Sequence, residues 1–264
     1  MTLIDNVTKR KLQAGDLTLG FGVHHLRTAA TGMLAEACDH DWLFIDMEHG
    51  AFTVQEATQI CIAALATNVT PIVRIAADAL DEGTRALDNG ALGVIVPHVD
   101  TRAQAERIAQ AFRYPPVGTR SWGGPSAAFR FRAPGNAEAQ ALLNKQILVV
   151  AMIESREGVR NAAEIAAVAG IDALLIGTSD LSAELGISGQ IGHPDVQAAY
   201  KTVGTACRAN GKALGMGGVY DRDWAAAYIV DCGARFVLTG SDHAYLVAGA
   251  TQRSELLRSI ALGK

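Results

Sequence analysis

Short apolar runs recur along the chain and alternate with stretches whose apolar residues follow a helical period. Eight such runs are rich in residues that favour β-strands, and they cover residues 17–23, 42–47, 71–76, 92–99, 147–153, 173–178, 213–219 and 236–239. Runs that are apolar on successive residues are typical of strands buried on both faces, as in parallel sheets.

The gaps between the runs hold Ala-rich segments that favour helices. In residues 102–112, for example, Ala105, Ile108 and Phe112 fall on one helical face. Further helices are predicted at residues 54–66, 83–89, 157–170, 196–210, 221–232 and 243–262. Strands that alternate with helices indicate parallel pairing through crossovers, and eight such units predict a closed (β/α)8 TIM barrel. An open doubly wound sheet is the alternative.

Two segments interrupt this regular alternation. Residues 3–16 predict an extra N-terminal helix that closes the bottom of the barrel. Residues 114–144 form a long stretch that begins with a Pro/Gly-rich sequence, which is typical of a functional lid or an interface loop. Because no linker or shift of composition divides the chain, we expect a single TIM-barrel domain over residues 1–264.

Composition supports a soluble protein that binds small molecules. The 264 residues are 49% apolar and 19% charged, which suits one barrel with a large core. The net charge of -4, the pI near 6.0 and the absence of any Lys/Arg-rich run argue against a nucleic-acid partner. The N-terminus lacks a signal-peptide pattern, and no apolar stretch is long enough to cross a membrane. The four cysteines are scattered, so we expect a cytoplasmic location, no disulfide and no zinc site.

Polar residues collect where the predicted strands end, and in a TIM barrel those ends carry the active site. Two of them, Glu154 and Asp180, directly follow the neighbouring fifth and sixth strands. Two carboxylates with several waters suit Mg²⁺ or Mn²⁺, with Co²⁺ as a further candidate. Alternatively, the two acids are solvated or pair with Arg156 and Arg160.

His49 is the candidate general base. It follows the second strand, and Asp46, three residues earlier, could orient its ring and raise its basicity. The alternative is a histidine with a purely structural role. Glu48 lies between these two residues, and the sequence pattern does not indicate where its side chain points.

Arg74 lies inside an apolar strand, where a guanidinium is costly to bury unless an anion meets it. Its planar, permanently charged fork predicts a clamp for an anion or a developing oxyanion. A structural salt bridge to Asp78 is the alternative. His98 lies near the end of the fourth predicted strand, and Ser241 and Asp242 follow the eighth; none of the three has a defined role.

Two further segments suggest contacts with substrate. Arg120 and Trp122 in the long loop could face the pocket of a neighbouring subunit. Gly217, in the glycine-rich run at residues 215–218, would let the backbone approach a ligand closely. That run is not a phosphate-binding fingerprint, because no GxGxxG opens a helix after a strand.

Six motifs in order, together spanning most of the chain, resemble one known family. They are F-I-D-M-E-H-G, P-I-V-R-I, A-L-D-N-G-A-L-G-V-I-V-P, R-Y-P-P-V-G-T-R, I-E-S-R-E-G and G-T-S-D-L-S-A-E-L-G. The chain is similar over residues 17–245 to the HpcH/HpaI aldolases, which are class II, metal-dependent, pyruvate-using enzymes. Members include 4-hydroxy-2-oxoheptanedioate aldolase and 2-dehydro-3-deoxyglucarate aldolase. The resemblance implies a TIM barrel, commonly a hexamer (a trimer of dimers) that exchanges a terminal helix.

The resemblance also implies residue roles. Glu154 and Asp180 would be the metal ligands, and His49 would be the base, oriented by Asp46 and acting partly through water. Arg74 would stabilise the enolate, and the backbone near Ser179 and Asp180 would bind the substrate carboxylate. Asp88 would reach the active site of an adjacent subunit. The predicted substrate-contacting residues are Arg74, Ser179, Asp180, Met152, Trp122 and Gly217.

The chain departs from the family pattern around the donor keto acid. Met152 stands where relatives usually carry Gln, and Gly177-Thr178-Ser179-Asp180 replaces the common G-P-A-D. These changes leave the carboxylates, His49 and Arg74 in place. They suggest that a donor such as hydroxypyruvate could replace pyruvate.

The predicted function is a metal-dependent aldolase that cleaves a 4-hydroxy-2-oxo acid into a 2-oxo acid and an aldehyde. No organic cofactor is expected. Lys145 and Lys212 precede their strands, so no lysine at a strand's end offers a Schiff base. Two alternatives stay open: a metal-dependent lyase of citramalyl- or malyl-CoA type, which would need a basic groove, and a non-catalytic barrel that binds sugar acids.

Overall fold

The computed structural model describes residues 3–262 and is built around eight parallel strands. The strands are β1 Thr18–Val23, β2 Trp42–Asp46, β3 Thr70–Arg74, β4 Gly93–Val96, β5 Leu148–Ile153, β6 Ala173–Gly177, β7 Ala213–Gly217 and β8 Ala234–Ser241. Each pairs with the next, and β1 pairs with β8, which closes the barrel. The predicted TIM barrel is confirmed, and the open sheet is excluded.

Helices cover the outside of the barrel. They are α1 Val7–Ala14, α2 Thr31–Ala37, α3 Val54–Ala64, α4 Leu80–Asp88, α5 Arg102–Phe112, α6 Asn136–Gln146, α7 Arg156–Arg160, α8 Ala162–Ala166, α9 Thr178–Glu184, α10 Pro194–Ala209, α11 Arg222–Val230 and α12 Asp242–Arg258. Both α3 and α5 begin with a capping box, in which Thr53 or Thr101 exchanges hydrogen bonds with the residue three positions later.

Two predicted segments differ from the structure. Residues 157–170 were expected to form one helix, but the chain forms α7 and α8 with a break at Asn161, whose side chain donates to the Asp100 carbonyl at 2.7 Å. Residues 114–144 were expected to form a lid or an interface loop, yet a 3-10 turn lies at Ala127–Phe129 and α6 begins at Asn136. Helix α6 is rich in Ala, Leu and Gln, which favour helix.

Two separate apolar clusters fill the molecule. One lies inside the barrel and includes Trp42, Phe44, Ile72 and Phe236, and the other lies between the strands and the helices. The rings of Trp42 and Phe236 stack with their centroids 3.9 Å apart. A Cβ atom on Gly20 would lie 2.3 Å from the Trp42 ring, so the barrel interior holds this large side chain only because residue 20 is glycine.

Helix α1 closes the N-terminal end of the barrel. The Lys9 ammonium donates to the Ile147 carbonyl at 2.7 Å and lies 2.9 Å from the Asp172 carboxylate. The Asn6 amide donates to the Leu92 carbonyl at 2.9 Å. These partners precede β5, β6 and β4, so α1 ties together the starts of three strands, as the extra N-terminal helix was predicted to do.

Helix α12 has little covering it within the chain. Its only buried residue is Asp242, at the first position. Leu246, Val247, Leu256 and Leu257 all expose more than half of their surface. Among residues 3–262, no helix combines the length and the apolar content needed to cross a membrane. The exposed face of α12 is therefore one that another polypeptide could cover.

The fit between Gly20 and Trp42 predicts that Gly20→Ala will destabilise the protein. The added methyl group cannot be accommodated, because Phe236 and the barrel wall hold the indole ring. We expect a loss of about 1–3 kcal/mol of unfolding free energy, measured by urea denaturation. Gly249→Ala is the matched control: it is exposed in α12 with no atom near its Cβ position, and Ala is the better helix former there. Equal stability of the two variants would contradict the proposed packing.

Candidate active site

A cavity of about 320 Å³ lies at the carboxyl ends of the strands. Seven of the predicted site residues line it: His49, Arg74, Met152, Glu154, Ser179, Asp180 and Gly217. The sequence reasoning missed His24, Phe44 and Tyr220, which also line it. His24 directly follows β1, so the strand-end rule that selected the others would have found it if applied to the first strand. The predicted residues therefore converge, except that Asp46 is buried behind Arg74 and that Asp88 and Trp122 lie away from the cavity.

A larger hollow, of about 490 Å³, lies at the opposite end of the barrel, beside α1. Its basic residues are already engaged: Lys212 donates to the Ile171 carbonyl at 2.6 Å, and Arg235 donates to the Gly15 carbonyl at 3.0 Å. These cations join strand starts to neighbouring segments. We therefore place the chemistry at the carboxyl end, where the functional side chains meet.

Arg74 is held by two carboxylates. Its Nε and Nη2 donate to the two oxygens of Asp46 at 2.9 and 2.6 Å, and its Nη1 lies 3.1 Å from Glu48 Oε2. The guanidinium also sits over the Phe44 ring, 4.9 Å from its centroid. The partners are thus Asp46 and Glu48, and the predicted alternative of a salt bridge to Asp78 is wrong. Arg74 is buried, with a fixed orientation at the cavity wall.

The Asp46 carboxylate is fully buried and ionised. Burial opposes its charge, but the hydrogen bonds and the charge of Arg74 outweigh that effect and hold the pKa of Asp46 below its ordinary value. Its Oδ1 also accepts from the backbone N–H groups of Glu48 and His49, at 3.0 and 3.2 Å. Asp46 therefore fixes both Arg74 and the turn that follows β2.

The predicted role of Asp46 toward the His49 ring is wrong, because the contact is with the His49 backbone. The His49 side chain is 63% exposed, and its Nε2 lies 3.9 Å from Glu48. The imidazole near Asp46 belongs to His24, whose Nδ1 lies 3.3 Å from Asp46 Oδ2. Arg74 and the His49 ring would compete for the Asp46 carboxylate, and Arg74, on the neighbouring strand β3, occupies it.

Glu154 is buried at the end of β5. Its Oε2 accepts from the backbone N–H of His98 at 2.9 Å. A Cβ atom on Gly177 would lie 2.4 Å from Glu154 Oε1, so the glycine at the end of β6 makes room for the carboxylate. Burial raises the pKa of Glu154, and the nearby charge of Asp180 adds to this rise, against the opposing hydrogen bond from His98.

His98, which the sequence left without a role, lies between two acids. Its Nδ1 is 3.4 Å from Glu154 and its Nε2 is 3.7 Å from Glu48. Its φ of 54° is in the left-handed region, which few residues other than glycine adopt. This conformation turns the His98 backbone N–H toward Glu154.

Ser179 and Asp180 lie in the first turn of α9, directly after β6. Helix α9 is anchored at Thr178, whose hydroxyl shares a 2.7 Å hydrogen bond with the buried Tyr200. Gly218 has φ of 79°, and a Cβ atom there would lie 2.8 Å from Ser179 Oγ. The chain after β7 thus passes close to Ser179, and Gly217 precedes it at the cavity wall.

The donor set suits a hard divalent cation. The charge of Asp180 helps to raise the pKa of Glu154, and a bound cation would relieve that repulsion. Within residues 3–262, no cluster of three or more His, Cys, Asp or Glu side chains forms a metal site. A cation held by two protein carboxylates, with substrate and water as its other ligands, would agree with both the close pair of acids and the lack of a larger cluster.

Asp88 and Trp122 do not line the cavity of their own chain. Asp88, the last residue of α4, accepts a 2.6 Å hydrogen bond from the buried Arg120. Arg120 stacks over Tyr114 at 4.7 Å, and Trp122 packs edge-on against the same ring. The long loop is thereby pinned to α4 by one ion pair and one aromatic cluster.

Comparison with known proteins gives a consistent result. The sequence model described as "HpcH/HpaI aldolase/citrate lyase" matches residues 27–248. The 4-hydroxy-4-methyl-2-oxoglutarate aldolase tasA of Hapsidospora irregularis is 33% identical over 100% of this chain and 99% of its own. The 2-keto-3-deoxy-L-rhamnonate aldolase of Escherichia coli K12 is 33% identical over 97% of this chain and 95% of its own. The crystal structure of an HpcH/HpaI aldolase from Desulfitobacterium hafniense has a TM-score of 0.89 at 29% identity, covering 96% of this chain and 97% of that one.

The Asp46–Arg74 pair predicts a large and pH-dependent loss of stability in Asp46→Asn. The substitution leaves the buried guanidinium with Glu48 alone, and we expect it to cost about 3 kcal/mol near neutral pH. Because the folded-state pKa of Asp46 lies below its ordinary value of 3.8, its ionic contribution is complete above that value and is lost as the pH falls through the lowered pKa. Urea unfolding should therefore show the stability gap between wild type and variant shrinking progressively as the pH falls below 3.8.

The control for this measurement is Asp78→Asn. Asp78 is almost fully exposed and lies 4.0 Å from Arg107, so its removal should leave stability within about 0.5 kcal/mol of wild type. A gap for Asp46→Asn that is equally small, or constant with pH, would rule out the ionic role of Asp46.

Proposed function

Because the chain belongs to the HpcH/HpaI aldolase/citrate lyase family, we propose that this aldolase is divalent-metal-dependent and acts on 4-hydroxy-2-oxo acids. It would cleave them reversibly to pyruvate, or a related donor such as hydroxypyruvate, and an aldehyde or other carbonyl compound. The observation that carries the proposal is one cavity shared by the fixed cation Arg74 and the carboxylates Glu154 and Asp180. The whole chain, residues 1–264, would act as a single barrel domain.

Glu154 and Asp180 are the residues that would hold Mg²⁺, Mn²⁺ or Co²⁺. Bound there, the cation would supply Lewis-acid polarisation of the substrate's keto group. Gly177 supports this use of Glu154, because it leaves space for the carboxylate and adds no side chain that could fill the cavity. We propose no organic cofactor.

Arg74 would stabilise the negative charge that develops on the keto oxygen as the carbon–carbon bond breaks. Asp46, Glu48 and Phe44 hold its guanidinium before substrate arrives, so little reorganisation is needed during the reaction. The substrate carboxylate would lie against the backbone at Ser179 and Asp180, with Gly217 opposite. His49, whose ring is largely open to solvent, would act as an acid–base group that exchanges protons with water.

Met152 is the residue that bears on the choice of donor. It is 5% exposed, lines the cavity and belongs to the apolar cluster inside the barrel. A thioether offers the keto acid packing and almost no hydrogen bonding. Hydroxypyruvate would need a partner for its extra hydroxyl, and Ser179 is a hydroxyl on the same cavity wall. Pyruvate and hydroxypyruvate are therefore both candidate donors.

The exposed face of α12 supports an oligomer. The helix exposes apolar surface at two places, Leu246 with Val247 and Leu256 with Leu257. Leaving this surface in contact with water is energetically unfavourable. A second copy of the chain would cover it if the helices exchange between partners, as in the proposed hexamer built as a trimer of dimers. In that assembly Asp88 and Trp122 would face the cavity of a neighbouring subunit.

The central test follows deuterium exchange at C3 of pyruvate and of hydroxypyruvate in D₂O, with Mg²⁺ or Mn²⁺ and with EDTA. We expect exchange that EDTA abolishes and that Glu154→Gln lowers at least about 100-fold, because the variant loses a charged oxygen donor. Glu157→Gln, an exposed acid three residues further on, should exchange like wild type.

The alternatives are separate outcomes of the same experiment. Turnover of malyl- or citramalyl-CoA without turnover of free 4-hydroxy-2-oxo acids would favour the thioester lyase. Failure of both donors with every divalent metal, together with tight sugar-acid binding that survives Glu154→Gln, would favour the non-catalytic barrel. Either result would reject the proposed reaction.

The oligomer proposal predicts that the double variant Leu256→Asp/Leu257→Asp will lower the molar mass measured by light scattering in solution. Two carboxylates would have to be buried in the contact, which is strongly unfavourable. Ala248→Asp adds a carboxylate to the same helix on the side away from the exposed apolar residues, so it should keep the wild-type mass. A wild-type protein that is monomeric at all concentrations would disprove the proposal.

A further inference from the structure

We infer that His24 is a second acid–base residue of this site and takes the proton from the C4 hydroxyl of the substrate. The inference rests on the proposed function, since it needs a 4-hydroxy-2-oxo acid in the cavity. It differs from the sequence prediction, which gave this proton to His49. Three features of His24 carry it: its place in the cavity, its carboxylate partner and the way its backbone is held.

His24 lines the same cavity as Arg74, Glu154 and Asp180, so its ring and the reacting groups meet one ligand. The side chain is 21% exposed, compared with 63% for His49. A base that is mostly shielded from solvent keeps a fixed position relative to a bound hydroxyl.

Asp46 determines which nitrogen of His24 is available. Its Oδ2 lies 3.3 Å from His24 Nδ1 and accepts one hydrogen bond from Arg74. A carboxylate beside Nδ1 favours the tautomer that carries its proton there, which leaves a lone pair on Nε2 for proton transfer. Because Arg74 already neutralises the Asp46 charge, His24 is not required as a counter-ion.

A second carboxylate holds the His24 backbone. Asp242 Oδ2 accepts from the backbone N–H groups of His24, His25 and Leu26, at 3.1, 2.7 and 2.7 Å. The ring also packs against His243, with centroids 5.3 Å apart and the planes nearly perpendicular. The backbone and the ring of His24 are thus each fixed by a buried acid.

The protonation state of His24 agrees with this role. Burial lowers its pKa below the ordinary histidine value, although the charges of Asp46 and Asp242 act in the opposite direction. The ring is therefore neutral near pH 7 and can accept a proton.

The proton and electron balance of the cleavage is complete. His24 Nε2 takes the hydroxyl proton, the O–H electrons form the new carbonyl group at C4, and the C3–C4 electrons pass to the enolate of the 2-oxo acid. The enolate then gains a proton at C3 from water or from His49, and His24 returns its proton to solvent. No oxidant or reductant takes part.

The test compares two reactions of each variant. One is C3 deuterium exchange of pyruvate, which needs no C4 hydroxyl. The other is cleavage of 4-hydroxy-4-methyl-2-oxoglutarate or 2-keto-3-deoxy-L-rhamnonate, or addition of pyruvate to glycolaldehyde, with Mn²⁺ present. For His24→Asn we expect kcat for cleavage or addition to fall at least about 100-fold, with KM and exchange within about threefold of wild type.

Three comparisons make this test specific. His24→Asn keeps an N–H donor toward Asp46 but has no base, so a merely structural role of His24 predicts near-normal cleavage. His24→Gln removes the base with a longer side chain and should lose cleavage equally. His25→Gln alters the neighbouring exposed histidine, which does not line the cavity, and should behave like wild type.

The possible failures are distinguishable. A wild-type protein with neither exchange nor carbon–carbon bond chemistry would reject the proposed function and this inference with it. A wild type that exchanges pyruvate but neither cleaves nor forms such a bond would reject the inference, because no hydroxyl proton is then moved. An active wild type whose His24→Asn variant cleaves within about threefold of normal would reject His24 alone.

Discussion

The site depends on one buried ion pair, in which both oxygens of the Asp46 carboxylate accept hydrogen bonds from the Arg74 guanidinium. The two residues are register partners at the ends of β2 and β3, so the sheet itself brings them side by side. A buried guanidinium would be unfavourable without this partner, and the same carboxylate orders the turn at Glu48 and His49. The turn after β2 and the fixed positive charge at the cavity therefore rest on one interaction, which the pairing of β2 with β3 positions.

Small residues make the rest of the arrangement possible. Gly20 allows Trp42 to fill the barrel, and Gly177 allows Glu154 to turn its carboxylate toward the strand ends. Both glycines lie in strands, where glycine is otherwise unfavourable, so their positions reflect close packing of specific neighbours. Because the interior cluster is separate from the layer beneath the helices, the strand ends can carry charged groups without disturbing most of the core.

Much of this could be predicted from the sequence, because apolar periodicity and strand ends are local patterns. Seven site residues converged for that reason, and the family resemblance added the chemistry. The predictions that were wrong concerned side-chain contacts between different elements. The spacing of Asp46 and His49 suggested a ring contact, whereas β3 brought Arg74 to the carboxylate and β1 brought His24. Likewise, the break at Asn161 depends on the Asp100 carbonyl, which is distant in sequence. Such partners are set by how strands and loops from distant parts of the chain align, and the sequence of one segment does not contain that information.

Asp242 connects the exposed helix α12 to the segment that follows β1. This residue is the first of α12, and it also holds three consecutive backbone N–H groups at the end of β1. A rotation or shift of α12, of the kind that the proposed docking on another chain would impose, would therefore reach the His24 backbone through one side chain. If a partner covers the exposed leucines of α12, the same contact would influence how firmly the His24 segment is held, which would couple the proposed association to the proposed proton transfer.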